Sequence, residues 1–270
     1  MTLSSTKVIL LAVCALGFGW VCHADQNHIV SLDYCADQFT LGLAPREAIA
    51  ALSMDAERGF SYMRAEAKGL PQVKPSAENV LAYQPTAIIR SYGGGPNAKK
   101  FYENLGIRVI QVGFVNTIAE VRAETLRLAE ELGNTNAGKR LARDMDQRLA
   151  AIQPAPDQAV LYVTPGGVTS GTGTLVNELI EAAGLSNFQQ RSGWHSLPLE
   201  ELTLRQPELL ATAFYNAKTN HFNFWSAARH PMIRRQFDQA RKIELEGATT
   251  ACGGWFLMDA IETLSVEASS

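Results

Sequence analysis

The chain has 270 residues, of which 46% are apolar and 19% charged, and its net charge is −3. That is enough apolar mass for one large or two small packed cores. The absence of a basic excess or a long charge run excludes a nucleic-acid binder built on an electrostatic footprint.

In chain order, the first feature is a targeting signal. Lys7 gives a positive start, residues 8–21 carry no charge over 14 positions, and Cys22-His23-Ala24 offers small side chains for a cut after Ala24. Fourteen residues fall short of the ~20 that a helix needs to cross a bilayer. Trp20 and Val21 are poor residues ahead of a lipidated cysteine, so cleavage after Ala24 is preferred to an anchor or a lipoprotein. The expected mature chain starts at Asp25 in the periplasm.

From there, short apolar runs alternate with helical patterns. Strands are expected at 28–32, 48–53, 86–91 and 108–113, and helices at 35–43, 76–84 and 97–105. Such alternation points to a parallel sheet covered on both faces. Thr117-Ile118-Ala119-Glu120 then reads as a capping box, opening a helix that Gly133-Asn134 ends. A second helix over 136–152 carries Leu141, Met145, Leu149 and Ile152 on one face, and at 1.5 Å per residue spans roughly 25 Å. Pro154 and Pro156 close it. Beyond that boundary the alternation restarts, with strands at 159–164, 208–214 and 242–245 and helices at 175–183, 199–206 and 256–264. The fold expected is therefore α/β, with two lobes on parallel sheets joined by a long backbone helix: 25–116, a helical connector 117–158, and 159–270.

An internal repeat supports two related lobes. Glu78-Asn79-Val80-Leu81-Ala82-Tyr83-Gln84-Pro85 and Glu200-Glu201-Leu202-Thr203-Leu204-Arg205-Gln206-Pro207 share Glu, an apolar residue two positions on, and Gln-Pro before a strand.

Two glycine-rich loops, 92–97 and 164–174, follow strands and precede helices, where backbone can approach a ligand or simply turn. Neither carries a nucleotide fingerprint, no Gly-x-Ser-x-Gly elbow occurs, and no His-Glu-x-x-His occurs. His195, His221 and His230 lack the tight spacing of a dedicated metal site. Aromatic residues gather near strand ends, the edge where open α/β sheets bind ligands. The cleft lining expected is Tyr34, Cys35, Tyr62, Arg64, Arg90, Tyr92, Trp194, Tyr215, Trp225 and Trp255, with the two arginines suited to an anionic ligand. Cys35 and Cys252 survive signal cleavage into an oxidising compartment. Sequence leaves a disulfide open. Two thiols are the preferred reading, because a bond would clamp the lobes.

From Ser31-Leu32-Asp33-Tyr34-Cys35-Ala36-Asp37-Gln38, through the repeated Glu-x₆-Pro units, to Cys252-Gly253-Gly254-Trp255-Phe256-Leu257-Met258-Asp259, the chain resembles the periplasmic binding proteins for iron-siderophores, haem and vitamin B12. It departs where the family has Pro-Asp, reading Pro85-Thr86 and Pro207-Glu208. The resemblance implies a substrate-binding component of an ABC importer rather than an enzyme, acting as a monomer without a resident cofactor. Its cargo would be a metal chelate, ferric siderophore first and haem or cobalamin next. It also implies that Glu78 and Glu200, or Glu201 in place of Glu200, meet an inner-membrane permease dimer. A bare-metal binder of similar fold and a secreted α/β enzyme are the alternatives.

Overall fold

The computed structural model describes residues 28–213, 230, 231, 235 and 239–270. The leader, Tyr215, His221 and Trp225 lie outside them.

Five parallel strands form the first sheet: β1 (Ile29–Ser31), β2 (Ile49–Ser53), β3 (Gln72–Val73), β4 (Ala87–Arg90) and β5 (Arg108–Gln111), ordered β3-β2-β1-β4-β5. Helices α1 (Tyr34–Leu43), α2 (Ala77–Leu81) and α3 (Ala98–Asn104) belong to this half. Two longer helices follow, α4 (Ile118–Glu131) and α5 (Thr135–Ala151). The Thr117 box forms as expected: Thr117 Oγ1 accepts from Glu120 N at 3.1 Å, and Glu120 Oε2 accepts from Thr117 N at 3.2 Å. Asn134 caps α5, and a bidentate pair from Arg122 to Asp146 ties the two helices side by side.

The second half repeats the plan. β6 (Ala159–Val163), β8 (Ser186–Asn187), β10 (Leu209–Ala213) and β11 (Arg241–Leu245) form a parallel sheet ordered β11-β10-β6-β8. It carries α6 (Leu175–Ala182), α7 (Glu201–Leu204), α8 (Gly247–Thr250) and α9 (Leu257–Ala268), here numbered over the described residues. The order 2-1-4-5 of the first sheet maps onto 8-6-10-11 of the second. The repeated units map too: Val80 and Leu202 are both buried, each before the strand that sits second from the edge. The helices of both units are shorter than their periodicity suggests. Their last turns unwind before the prolines, and Gln84 takes a left-handed φ of 48°.

A two-stranded antiparallel ribbon of β7 (Val168–Ser170) and β9 (Trp194–Ser196) was not expected. Its strands lie within segments whose glycine content reads as loop.

Strand alternation divides the core. On the outer faces, Val30, Ala51 and Ile88 pack with Val80 and Tyr102, while Leu161, Val163 and Leu210 pack with Phe188 and Leu202. The inner faces share one cluster. Ile29, Ile89 and Ile110 of the first sheet continue through Phe39, Val121, Leu128 and Met145 to Tyr162, Ala211, Leu257 and Ile261. The lobes are thus joined by packed side chains of α1, α4, α5 and α9 as well as by a bridging helix.

Candidate functional site: the cleft between the sheets

The carboxyl ends of both parallel sheets run toward each other. Segments that follow β1 and β5 meet segments that follow β11. Cys35, on the first turn of α1, is bonded to Cys252 with Cα atoms 5.6 Å apart. This corrects the preferred reading of two free thiols. Sequence offers no distance between residues 217 positions apart, and the topology brings them together at the mouth of the interface.

Beside the bond lies a hollow of about 130 Å³. Phe114, Val115 and Asn116 wall it from the segment after β5, Leu175 and Leu179 from α6, Trp194 from β9, and Thr249 to Gly253 from the end of α8 and the loop after it. Gly253 is required there, since a side-chain carbon at that position would overlap Val115 Cγ2.

On the first lobe the edge is organised by Asp33, which is 3% exposed. Its carboxylate caps α1 by accepting from Ala36 N at 3.0 Å. It also accepts from Ser91 Oγ at 2.5 Å and from three consecutive backbone N–H groups, Ser91, Tyr92 and Gly93, at 2.8, 3.1 and 2.9 Å. The loop after β4 is thereby bound to the start of α1, and Tyr92 is held outward, 56% exposed. Tyr34 stands edge-on to Phe60 at 4.8 Å and to Tyr92 at 6.1 Å. Burial, and then the nearby Asp33 and Asp55 carboxylates, raise the Tyr34 hydroxyl above its ordinary pKa. Tyr92 is raised for the same first reason, with Tyr34 and Asp33 adding to it. Both phenols are therefore neutral at physiological pH.

Other expected site residues are placed differently. Tyr62 stacks on Phe256 at 4.6 Å and donates to Asp259 Oδ2 at 2.7 Å, linking the halves. Arg64 pairs with Glu246 at 2.6 Å across them. Arg90 is buried. It donates to Gly95 O at 3.0 Å, and its Nε has no partner among the described residues. By strand alternation it shares the outer face with Ile88, where β4 packs toward Tyr102. Trp255 is 7% exposed and packs on Phe39 at 5.7 Å. It fills the slot left by Gly42, where any side-chain carbon would overlap its ring. Trp194 is 52% exposed and lines the hollow.

Sequence reading missed Phe114, 86% exposed, and Met54, 44% exposed. Both stand just beyond strands β5 and β2, and that position is the signal that finds them. Among the described residues no three His, Cys, Asp or Glu side chains converge as metal ligands. His195 bonds the Ser192 carbonyl at 2.7 Å. No described helix is long and apolar enough to cross a membrane.

Two parallel sheets that present their carboxyl edges to one aromatic-rimmed cleft, bridged by paired helices, define a two-lobed binding protein. A family model described as periplasmic binding protein matches residues 29–223, and the chain belongs to that family. The family consists of substrate-binding proteins rather than enzymes, and its compartment is the periplasm. No curated protein matches the chain significantly by sequence. Among solved structures, it is similar to a periplasmic heme-binding protein from Pseudomonas aeruginosa, at 21% identity and TM-score 0.71, covering 90% of this chain and 92% of that one. It is similar to the periplasmic heme-binding protein RhuT from Roseiflexus sp. RS-1, at 21% identity and TM-score 0.70, covering 90% and 98%. It is also similar to the periplasmic vitamin B12 binding protein BtuF of Vibrio cholerae, at 20% identity and TM-score 0.61, covering 90% and 96%.

Proposed function

We propose that this protein, exported by its leader and cut after Ala24, captures a metal chelate with a broad apolar face and delivers it to a two-fold ABC permease. Its lobes on this reading are 25–116 and 159–270, with 117–158 between them. The observation that carries the choice of cargo is the exposure of three aromatic side chains, Phe114 and Trp194 at the hollow and Tyr92 beside Tyr34. Exposed aromatics around a concave site offer flat contact at low entropy cost. A hollow of about 130 Å³ is smaller than the roughly 300–1,000 Å³ of ordinary ligand pockets. The cargo on this reading therefore extends from it along the open edge over Tyr34 and Tyr92.

Haem is placed ahead of ferric siderophore and cobalamin. A highly anionic siderophore needs unpaired cations, and the two arginines expected to supply them are engaged, Arg64 with Glu246 and Arg90 inside its lobe. Two of the similar structures named above are of heme-binding proteins and the third is of a vitamin B12 binding protein. The docking acids proposed are Glu78 and Glu200. Both are exposed, whereas Glu201 is engaged by Arg205 at 2.8 Å.

The test is titration of the mature protein with haem, cobalamin and ferric catecholate and hydroxamate siderophores, followed by absorbance and calorimetry. Haem is expected to bind at micromolar Kd or tighter. Tyr92→Ala and Trp194→Ala are each expected to weaken it by about tenfold, near 1.4 kcal/mol. Failure of all four classes to bind, or unchanged affinity in both variants, defeats the reading.

A further inference from the structure

The Cys35–Cys252 bond stands at the wall of the cleft. Cys252, with Ala251 and Gly253 beside it, lines the hollow. The segment 251–254 comes from the second half, yet it is held between two parts that precede the bridging helices. Cys35 binds it on one side, and Val115 presses on Gly253 on the other. The shared inner core joins the lobes behind the hollow, and Val115, Leu175 and Cys252 pack against it. Just behind the bond Trp255 packs on Phe39 and Phe256 on Tyr62, and the remaining described ties at the cleft are partly exposed polar contacts, Arg64 with Glu246 at 40% and 50% exposure and Tyr62 with Asp259. Such pairs hold little against an opening motion. The disulfide is thus a covalent tie between the halves at the wall of the hollow, where lobe separation would change the width available to cargo.

We infer that the Cys35–Cys252 disulfide is a gauge of the cleft: it sets the gap between the lobes at the cargo wall, so that cargo is selected by fit to a preset slot and not by closure around it. This assigns to the pair a specificity-determining role, and it rests on the cargo reading only for the identity of the ligand. A preset slot spares the ordering cost that closure imposes on binding. It also excludes chelates thicker than the gap, which an opening cleft would admit.

The experiment compares oxidised wild type with Cys35→Ser/Cys252→Ser by two readouts. Hydrogen exchange is followed in segments 114–116 and 249–256 without ligand, and Kd is measured for haem and for the bulkier cobalamin. Exchange in those segments is expected to rise at least tenfold in the double variant, and the ratio of the two Kd values to shift at least threefold toward cobalamin. Unchanged exchange there together with an unchanged Kd ratio overturns the proposal, even if the melting temperature falls, because the bond would then be a stability staple alone. If neither chelate binds either form, the cargo reading fails and the exchange readout still decides the gauge. If the double variant does not fold, the same readouts are taken on wild type before and after reduction by a dithiol. The dithiol passes two electrons and two protons to the bond and closes to its own disulfide.

Discussion

Asp37 has no exposed surface, yet it carries an ionisable group in the first turn of α1. Its oxygens accept from Ser53 N at 3.0 Å and from Ser53 Oγ at 2.6 Å, pinning the end of β2 to the helix. Desolvation outweighs those bonds, with Asp33 adding repulsion, and its pKa is pushed up to about 6. Because the folded value lies above the ordinary carboxylate value, the folded state binds the proton more tightly than the unfolded chain does. The group's contribution to stability is therefore fullest below about pH 4 and is lost as pH rises through about 6. Asp37→Asn keeps the acceptor oxygen and removes the charge. It is expected to stabilise the protein by on the order of 2–3 kcal/mol at pH 7.5, at about 1.4 kcal/mol per pKa unit, with the gain vanishing near pH 4. Thermal melts of both forms across that range check it; a pH-independent difference would contradict the assignment.

At the scale of elements, the loop between β4 and α3 depends on one residue outside it. Asp33 satisfies three successive N–H groups and the Ser91 hydroxyl and caps a helix, so its loss strands five donors at once. Asp33→Ala is expected to cost about 2–4 kcal/mol, combining a lost cap with buried donors left unpaired. Amide exchange at Ser91, Tyr92 and Gly93 is expected to accelerate beyond the global change. Uniform acceleration across the first lobe would show that the loop is held by other means. This arrangement also marks where sequence reading succeeds and stops. Strand and helix positions follow from apolar period and from caps such as Thr117, which act within a few residues. The repeat of Val80 and Leu202 is local and was legible. The Asp33 cradle, the Cys35 bond and the burial of Trp255 over Gly42 join residues far apart in sequence, and no local pattern encodes them. The β7–β9 ribbon was hidden by glycines that serve as loop and strand at once.

For the whole molecule, the inner-face core and the cleft-side disulfide imply a body that changes little when cargo enters. On the proposed role, a permease would have little lobe closure to sense, and recognition would fall to fixed surface features on both lobes. The pseudo-repeat supplies a matched pair. Glu78 and Glu200 occupy equivalent positions, one at the start of α2 and one at the cap of α7, and both are exposed. No described side chain pairs with either carboxylate. Helix-terminal placement favours a carboxylate by about 0.3–1 kcal/mol, so capping alone explains an acid there. It does not explain why both acids have no partner among the described residues while neighbouring Glu201 is tied to Arg205. If the disulfide holds the lobes as inferred, the spacing between the two acids is fixed, which suits the proposed partner with two-fold basic sites. Exposed charges of this kind speed and orient encounter more than they tighten it, and salt screens them. Glu78→Ala/Glu200→Ala is therefore expected to leave cargo affinity and melting temperature within error of wild type. Transport in vesicles containing the cognate permease is expected to fall at least tenfold at 0.15 M salt, with a smaller difference from wild type at 0.5 M. A matched control, Glu201→Ala, should lose only its Arg205 pair and transport normally. Wild-type transport by the double variant at 0.15 M salt would remove both acids from docking, and loss of transport in the control alone would move the role to Glu201.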